Sequence, residues 1–136
     1  MSLIEWKQVC CPVDFSEPSH AALRVAADVC KRFGAELTLF HVDHGEPDAA
    51  AKLAECQAEV EKLGVASAKT AHAGGDPQIA IVEFAKKSGI DLIVMGTHGR
   101  TGRDHALVGS VAESVVRRAE CPVLTVHHSW PGGQRR

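Results

Sequence analysis

The residues that could do chemistry are gathered in one stretch, Gly96-Thr97-His98-Gly99-Arg100-Thr101-Gly102-Arg103-Asp104-His105-Ala106-Leu107-Val108-Gly109-Ser110. Gly96 and Gly99 remove side chains where backbone N–H groups could approach an anion closely, and glycine also permits positive φ. Gly109-Ser110 opens a segment of helical pattern, where free N–H groups and the helix dipole favour negative charge. Arg100 and Arg103 add fixed positive charge. These features point to a bound phosphate. A plainer reading uses the same residues: Ser110 and Glu113 have the S-x-x-E spacing of a capping box, and Gly96 and Gly102 can serve as turn residues. Spacing alone leaves both open. The stretch fits neither the G-x-x-x-x-G-K-[ST] phosphate loop nor the G-x-G-x-x-G dinucleotide fingerprint.

Elsewhere the chemistry is sparse. The five cysteines (Cys10, Cys11, Cys30, Cys56, Cys121) form no C-x-x-C pair and are expected as small core residues in a reducing compartment. The eight histidines show no ligand spacing, so no metal site is expected, and no catalytic residue is assigned because His98 lacks an evident carboxylate partner. Fifteen basic against seventeen acidic residues give a net charge of -2, which suggests no electrostatic grip on nucleic acid, and none is expected as a partner. No signal peptide and no apolar run near the roughly 20 residues of a membrane span is visible, so a cytoplasmic location is expected.

The elements that must position the glycine-rich stretch follow from the hydrophobic pattern. Short apolar runs alternate with amphipathic helices, which predicts βαβ units and a parallel sheet. Strands are expected at Val9–Val13, Leu37–Val42, Asp91–Met95 and Pro122–Val126, with an edge strand over Val65–His72. The first helix is capped by Ser16, buries Ala22, Val25, Ala26, Val29, Cys30 and Phe33, and stops at Gly34. A second, from about Asp48, carries Leu53, Cys56, Val60 and Leu63 on one stripe. A third follows Asp76-Pro77 and closes at Gly89; a fourth starts near Ser110. Five strands and four helices make one α/β domain over residues 1–130, followed by a short basic tail over 131–136. In such sheets ligands bind beyond the carboxyl ends of the strands, where Asp14-Phe15-Ser16, Val42-Asp43-His44 and the Gly96–Ser110 stretch all fall.

The pattern Gly96-x2-Gly99-x9-Gly109-Ser110 resembles the G-x2-G-x9-G-[ST] signature of the ATP-binding branch of the universal stress proteins. Val94-Met95-Gly96-Thr97-His98-Gly99, Val108-Gly109-Ser110-Val111, Pro12-Val13-Asp14-Phe15-Ser16-Glu17-Pro18-Ser19, His41-Val42 and Cys121-Pro122-Val123-Leu124-Thr125-Val126 are similar to that family as well. The resemblance runs from about Trp6 to Val126. It implies a doubly wound, Rossmann-like, five-stranded parallel sheet of order 3-2-1-4-5, with ATP, or AMP or ADP, bound where the first and fourth strands diverge. Asp14 would meet the ribose hydroxyls, Pro12, Val13 and the Val42 backbone would border the adenine, and Met95 and Gly96 would lie against the ribose and first phosphate. Gly99, Gly109, Ser110 and Val111 would meet the phosphates, with His98 and Arg100 at the phosphate end, and a Mg²⁺ could bridge phosphate oxygens.

The resemblance also implies a homodimer through strand Pro122–Val126 and a nucleotide-dependent regulator of the stress response, read by a protein partner. The alternatives are a non-nucleotide-binding dimeric module of the same fold and a slow ATP hydrolase; the sequence offers no assignable base or arginine finger for fast turnover. Two departures stand out. Asp43 to Asp48 is short for the family, which implies a more open pocket and lower affinity. Cys10-Cys11 replaces a bulkier aliphatic pair, which implies tighter local packing.

Overall fold

A computed structural model describes residues 3–97 and 109–127 of the chain. Nine elements alternate: β1 (Gln8–Pro12), α1 (Glu17–Phe33), β2 (Glu36–Val42), α2 (Ala49–Lys62), β3 (Ala68–Ala73), α3 (Pro77–Lys87), β4 (Leu92–Gly96), α4 (Ser110–Arg118) and β5 (Val123–Val126). The strands form one parallel sheet of order β3-β2-β1-β4-β5, as the resemblance implies. β3 begins three residues later than its apolar pattern suggests. Val65 is buried but stays outside the ladder, its N–H bonded to the Val60 carbonyl at the end of α2.

Both faces of the sheet are covered, which is why its central strands read as continuous apolar runs. One core joins Val9, Cys11, Leu37, Leu39, Leu92 and Val94 to the buried faces of α1 and α2. The other joins Cys10, Phe40, Ile93 and Met95 to Ile81, Ala85, Ala112 and Val115 of α3 and α4, with Phe40 stacked on Phe84 at 4.3 Å. The stripe of α1 is rotated from its expected position. Leu23 and Ala27 join Ala22, Ala26 and Cys30 in the core, Val25 and Val29 are half-buried, and Phe33 is 46% exposed against Trp6. An helix lying on a twisted sheet has a wide apolar face, and spacing does not say where its centre falls.

Local signals set the boundaries. Ser16 caps α1 by accepting the Ser19 N–H, Gly34 ends it at φ 66, and Asp76 caps α3 by accepting the Gln78 N–H. Asp91, placed before β4, accepts the N–H groups of both Lys7 and Gln8 at 2.9 Å, and so ties the start of β1 to β4.

The ladder between β1 and β4 is short. It registers Val9 with Leu92 and Cys10 with Ile93 and then stops, whereas β1 stays with β2 through Pro12↔Phe40 and a further bond from the Val13 N–H to the Phe40 carbonyl. N–H groups alternate between the two edges of a strand. The N–H that proline removes at position 12 is therefore one that would face β4. The strands part at that point. Among the described residues, no helix is long and apolar enough to cross a membrane.

All five cysteines are free. Burial, reinforced by neighbouring thiols, raises the Cys10 and Cys11 thiols well above the ordinary range, and burial pushes Cys30 up to about 11. Iodoacetamide on the native protein is therefore expected to modify half-buried Cys56 and Cys121 well before Cys10 and Cys11, as peptide mass mapping over time would read. The raised thiols also fix a pH dependence. Above about pH 9 the unfolded chain releases thiol protons that the folded chain retains, so stability falls as pH rises through that range. Urea midpoints that stay flat from about pH 8 to about pH 11 would contradict this burial.

Candidate functional site

The gap between β1 and β4 opens into a crevice at the carboxyl edge of the sheet, with a volume of about 80 Å³. Pro12, Val13, Asp14, Val42, Met95, Gly96 and Val111 line it, so seven of the residues singled out from the sequence converge on one place. Gly109 and Ser110 stand at the start of α4, immediately before Val111. His98, Gly99 and Arg100 lie outside the described residues. Five further residues complete the wall: Ser19, Phe40, His44, Pro77 and Ile81. Four of these had a signal: His44 belongs to the carboxyl-edge segment Val42-Asp43-His44, and Ser19 closes the motif that begins at Pro12. Phe40 lies two residues before Val42 on the same face of β2, and Pro77 follows the turn beyond β3, which is also at the carboxyl edge. Ile81 is a helix residue brought in by packing alone.

The β1–α1 turn is held rigidly. The Asp14 N–H donates to Ser19 Oγ at 3.0 Å, while Asp14 Oδ1 accepts the Ser16 N–H at 3.0 Å and also its hydroxyl. Phe15, between them, takes φ 69, a left-handed conformation uncommon for a bulky residue. Such a residue persists only when its surroundings over-determine it. Here its ring lies 4.5 Å from the imidazole of His41, with the Lys52 ammonium 5.6 Å from its centroid.

Gly96 does not use the conformational freedom of glycine, since it is not at positive φ. Space is the requirement: a Cβ there would lie 2.6 Å from the carbonyl carbon and oxygen of Pro18 in the first turn of α1. Beyond Gly96, the Gly109 N–H donates to the Thr97 carbonyl, and the Thr97 N–H donates to Val126.

The capping-box reading of Ser110 does not hold. The N-cap of α4 is Gly109, no side chain among the described residues caps the helix, and Ser110 is its exposed first residue. Glu113 pairs instead with Arg117 at 3.6 Å, one turn on. The amide groups of the first turn, Ser110 and Val111 among them, therefore have no partner within the helix. No group of three histidine, cysteine or acidic residues among the described residues is arranged to hold a metal.

Fold and crevice together define a single-layer-sheet, doubly wound α/β protein with its cleft at the switch point between β1 and β4. The sequence profile of the universal stress protein family matches residues 5–127, and the chain belongs to that family. It is 35% identical to a universal stress protein of Methanocaldococcus jannaschii, over 89% of this chain and 82% of the relative. It is 30% identical to universal stress protein YxiE of Bacillus subtilis, over 84% and 94%. Among solved structures, UspA of Lactobacillus plantarum superposes with a TM-score of 0.81 at 26% identity, covering 90% of this chain and 99% of that one. A universal stress protein crystallised in complex with cAMP superposes equally well, at TM-score 0.81 and 28% identity, covering 93% and 100%.

Replacing Gly96 by alanine is expected to lower stability by about 1–3 kcal/mol, because backbone rather than a flexible side chain occupies the space. An unchanged midpoint in urea would mean that the first turn of α1 yields without cost.

Proposed function

We propose that the protein binds an adenine nucleotide in this crevice, ATP first and AMP or ADP as alternatives, and acts as a nucleotide-dependent regulator of the stress response. The observation that carries the reading is the meeting of the crevice with the uncapped N-terminus of α4. Apolar walls suited to a purine ring lie within one site of free backbone donors suited to phosphate. The relative crystallised with cAMP supports the same ligand class.

In this reading Pro12, Val13, Phe40, Val42 and Ile81 border the adenine. Asp14 uses Oδ1 to hold its own turn and turns Oδ2 to the ribose hydroxyls. Met95 and Gly96 lie against the ribose and first phosphate, and the Ser110 and Val111 amides, with the Ser110 hydroxyl, meet the phosphates, while Gly109, its own N–H bonded to the Thr97 carbonyl, lets them approach by carrying no side chain. Gly99, His98 and Arg100 supply the phosphate end, and a Mg²⁺ is held by phosphate oxygens and water. The short β2–α2 connection leaves the crevice more open and favours modest affinity. Any hydrolysis is slow, below about 1 s⁻¹; turnover in the ordinary kinase range would make the protein an enzyme.

Binding is tested by identifying nucleotide released on denaturation, then titrating the emptied protein with Mg-ATP by calorimetry. Asp14→Ala is expected to weaken binding by about ten- to a hundredfold, the cost of hydrogen bonds to a charged group. Gly109→Val is expected to abolish phosphate-dependent affinity while keeping the fold, because Gly109 sits at φ -62 and ψ 154, open to any residue. Saturating Mg-ATP at a hundred times its dissociation constant should add about 2.7 kcal/mol of stability. No heat and no stabilisation would leave the dimeric interaction module as the better reading.

The protein also assembles as a homodimer through β5, whose outer edge has no strand partner among the described residues and whose Leu124 is 39% exposed. Light scattering at micromolar concentration should return twice the chain mass of 14.5 kDa, and Leu124→Lys should return the monomer.

A further inference from the structure

We propose that His41 is a positioning residue of the nucleotide crevice, and that protonation of its buried ring nitrogen tightens nucleotide binding; the proposal rests on the nucleotide reading above. His41 lies on β2, 1% exposed, and is not among the residues that line the crevice. It faces α2, opposite Phe40 and Val42. Its Nδ1 is 2.8 Å from the carbonyl oxygen of Val13. A carbonyl only accepts, so Nδ1 carries the proton and, in the neutral ring, Nε2 is bare. Nε2 has no hydrogen-bond partner among the described residues. It opens instead on a cavity of about 220 Å³ lined also by Asp43, Leu53, Gln57, Thr70 and His72.

Two carboxylates stand close to that nitrogen. Glu46 Oε1 is 3.6 Å away and Asp43 Oδ1 is 3.9 Å away, just too far for a hydrogen bond and near enough to attract a charged ring strongly. From the other elements packed around it, His72 of β3 is held by Asp43 at 2.9 Å. Lys52 of α2 is 3.5 Å from Asp48 and reaches the Phe15 ring. Asp14 lies in the β1–α1 turn, and the His20–Glu59 pair, at 2.9 Å, lies across α1 and α2. The groups nearest to Nε2 are both acidic.

The ring connects two walls of the crevice. On one side it holds the Val13 carbonyl and supports Phe15, the two neighbours of Asp14. On the other, Glu46 accepts the N–H of His44 at 2.9 Å, and His44 lines the crevice. A proton on Nε2 gives Glu46 Oε1 a second donor beside the His44 N–H and so ties the 43–46 turn to the ring that holds the Val13 carbonyl, fixing both walls before the ligand enters. The complex therefore favours the protonated ring. By linkage, affinity rises as pH falls, and binding takes up a proton.

The experiment is calorimetric titration with ADP from about pH 8 to about pH 5.5, each protein compared with itself at pH 8 and repeated in buffers of different ionisation enthalpy. Phosphate ionisation is common to all the proteins and cancels between them. The wild-type affinity should rise about three- to tenfold more than that of His41→Asn, whose amide can replace the Nδ1 donor but cannot titrate. Proton uptake should be larger in the wild type by the same comparison. His44→Gln should keep the rise, which separates His41 from the histidine that lines the crevice. Equal pH profiles in wild type and His41→Asn, or a profile flattened by His44→Gln, overturns the proposal while leaving the nucleotide reading intact. Absence of ADP and ATP binding at every pH ends both. Should His41→Asn fail to fold, the wild-type and His44→Gln proton uptake decides alone: none in excess of the phosphate contribution overturns the proposal.

Discussion

The site depends on the place where β1 parts from β4. The chain leaves β1 for α1 on one face of the sheet and β4 for α4 on the other, so neither connection covers the space between the two strand ends. Pro12 interrupts the pairing on one side only: the ladder to β4 ends at Cys10–Ile93, while β2 stays bonded as far as the Val13 N–H. One missing donor thus turns a strand end into a cleft wall. β4 meanwhile continues with β5 to Gly96, so the opposite wall stays rigid.

The cleft is kept open and shaped by contacts made elsewhere. The first turn of α1 descends onto Gly96 so closely that only a hydrogen fits between them, and Ser19 from that turn holds the backbone of Asp14. Phe15 keeps its left-handed conformation because the ring of His41 lies beneath it. The same histidine holds the Val13 carbonyl. Fold stability and site geometry are therefore one set of interactions, and substitutions at Gly96, Ser19 or His41 act on both. The uncapped α4 differs: nothing in its helix requires the first-turn amides to be free, and their freedom is what a phosphate ligand would use.

Much of this was legible in the residue pattern. The elements were, because periodicity and caps are local: Ser16, Gly34 and Asp76-Pro77 end their helices where their chemistry predicts. Most of the crevice was legible through the family motifs. The rotation of the α1 stripe was not, because which side of a helix meets the sheet is set by packing, and Phe33 reads as core while it lies half-exposed on Trp6. Ser110 was misread as a possible cap for a related reason. The S-x-x-E spacing permits a capping box, but the N-cap lies one residue earlier, at Gly109, whose N–H is bonded to the Thr97 carbonyl.

The sequence by itself determined the alternation of strands and helices, the family, and the residues at the carboxyl edge of each strand. These depend on contacts within a few residues, or on motifs carried whole in the chain. Only the tertiary structure decided which of those residues face one another. It brought Phe40, Pro77 and Ile81 to the crevice beside Val13, gave Gly96 a steric reason in place of a conformational one, and set His41 beneath the Asp14 turn with a bare nitrogen between two carboxylates. Such meetings join residues far apart in the chain, and no local preference encodes a distance between them.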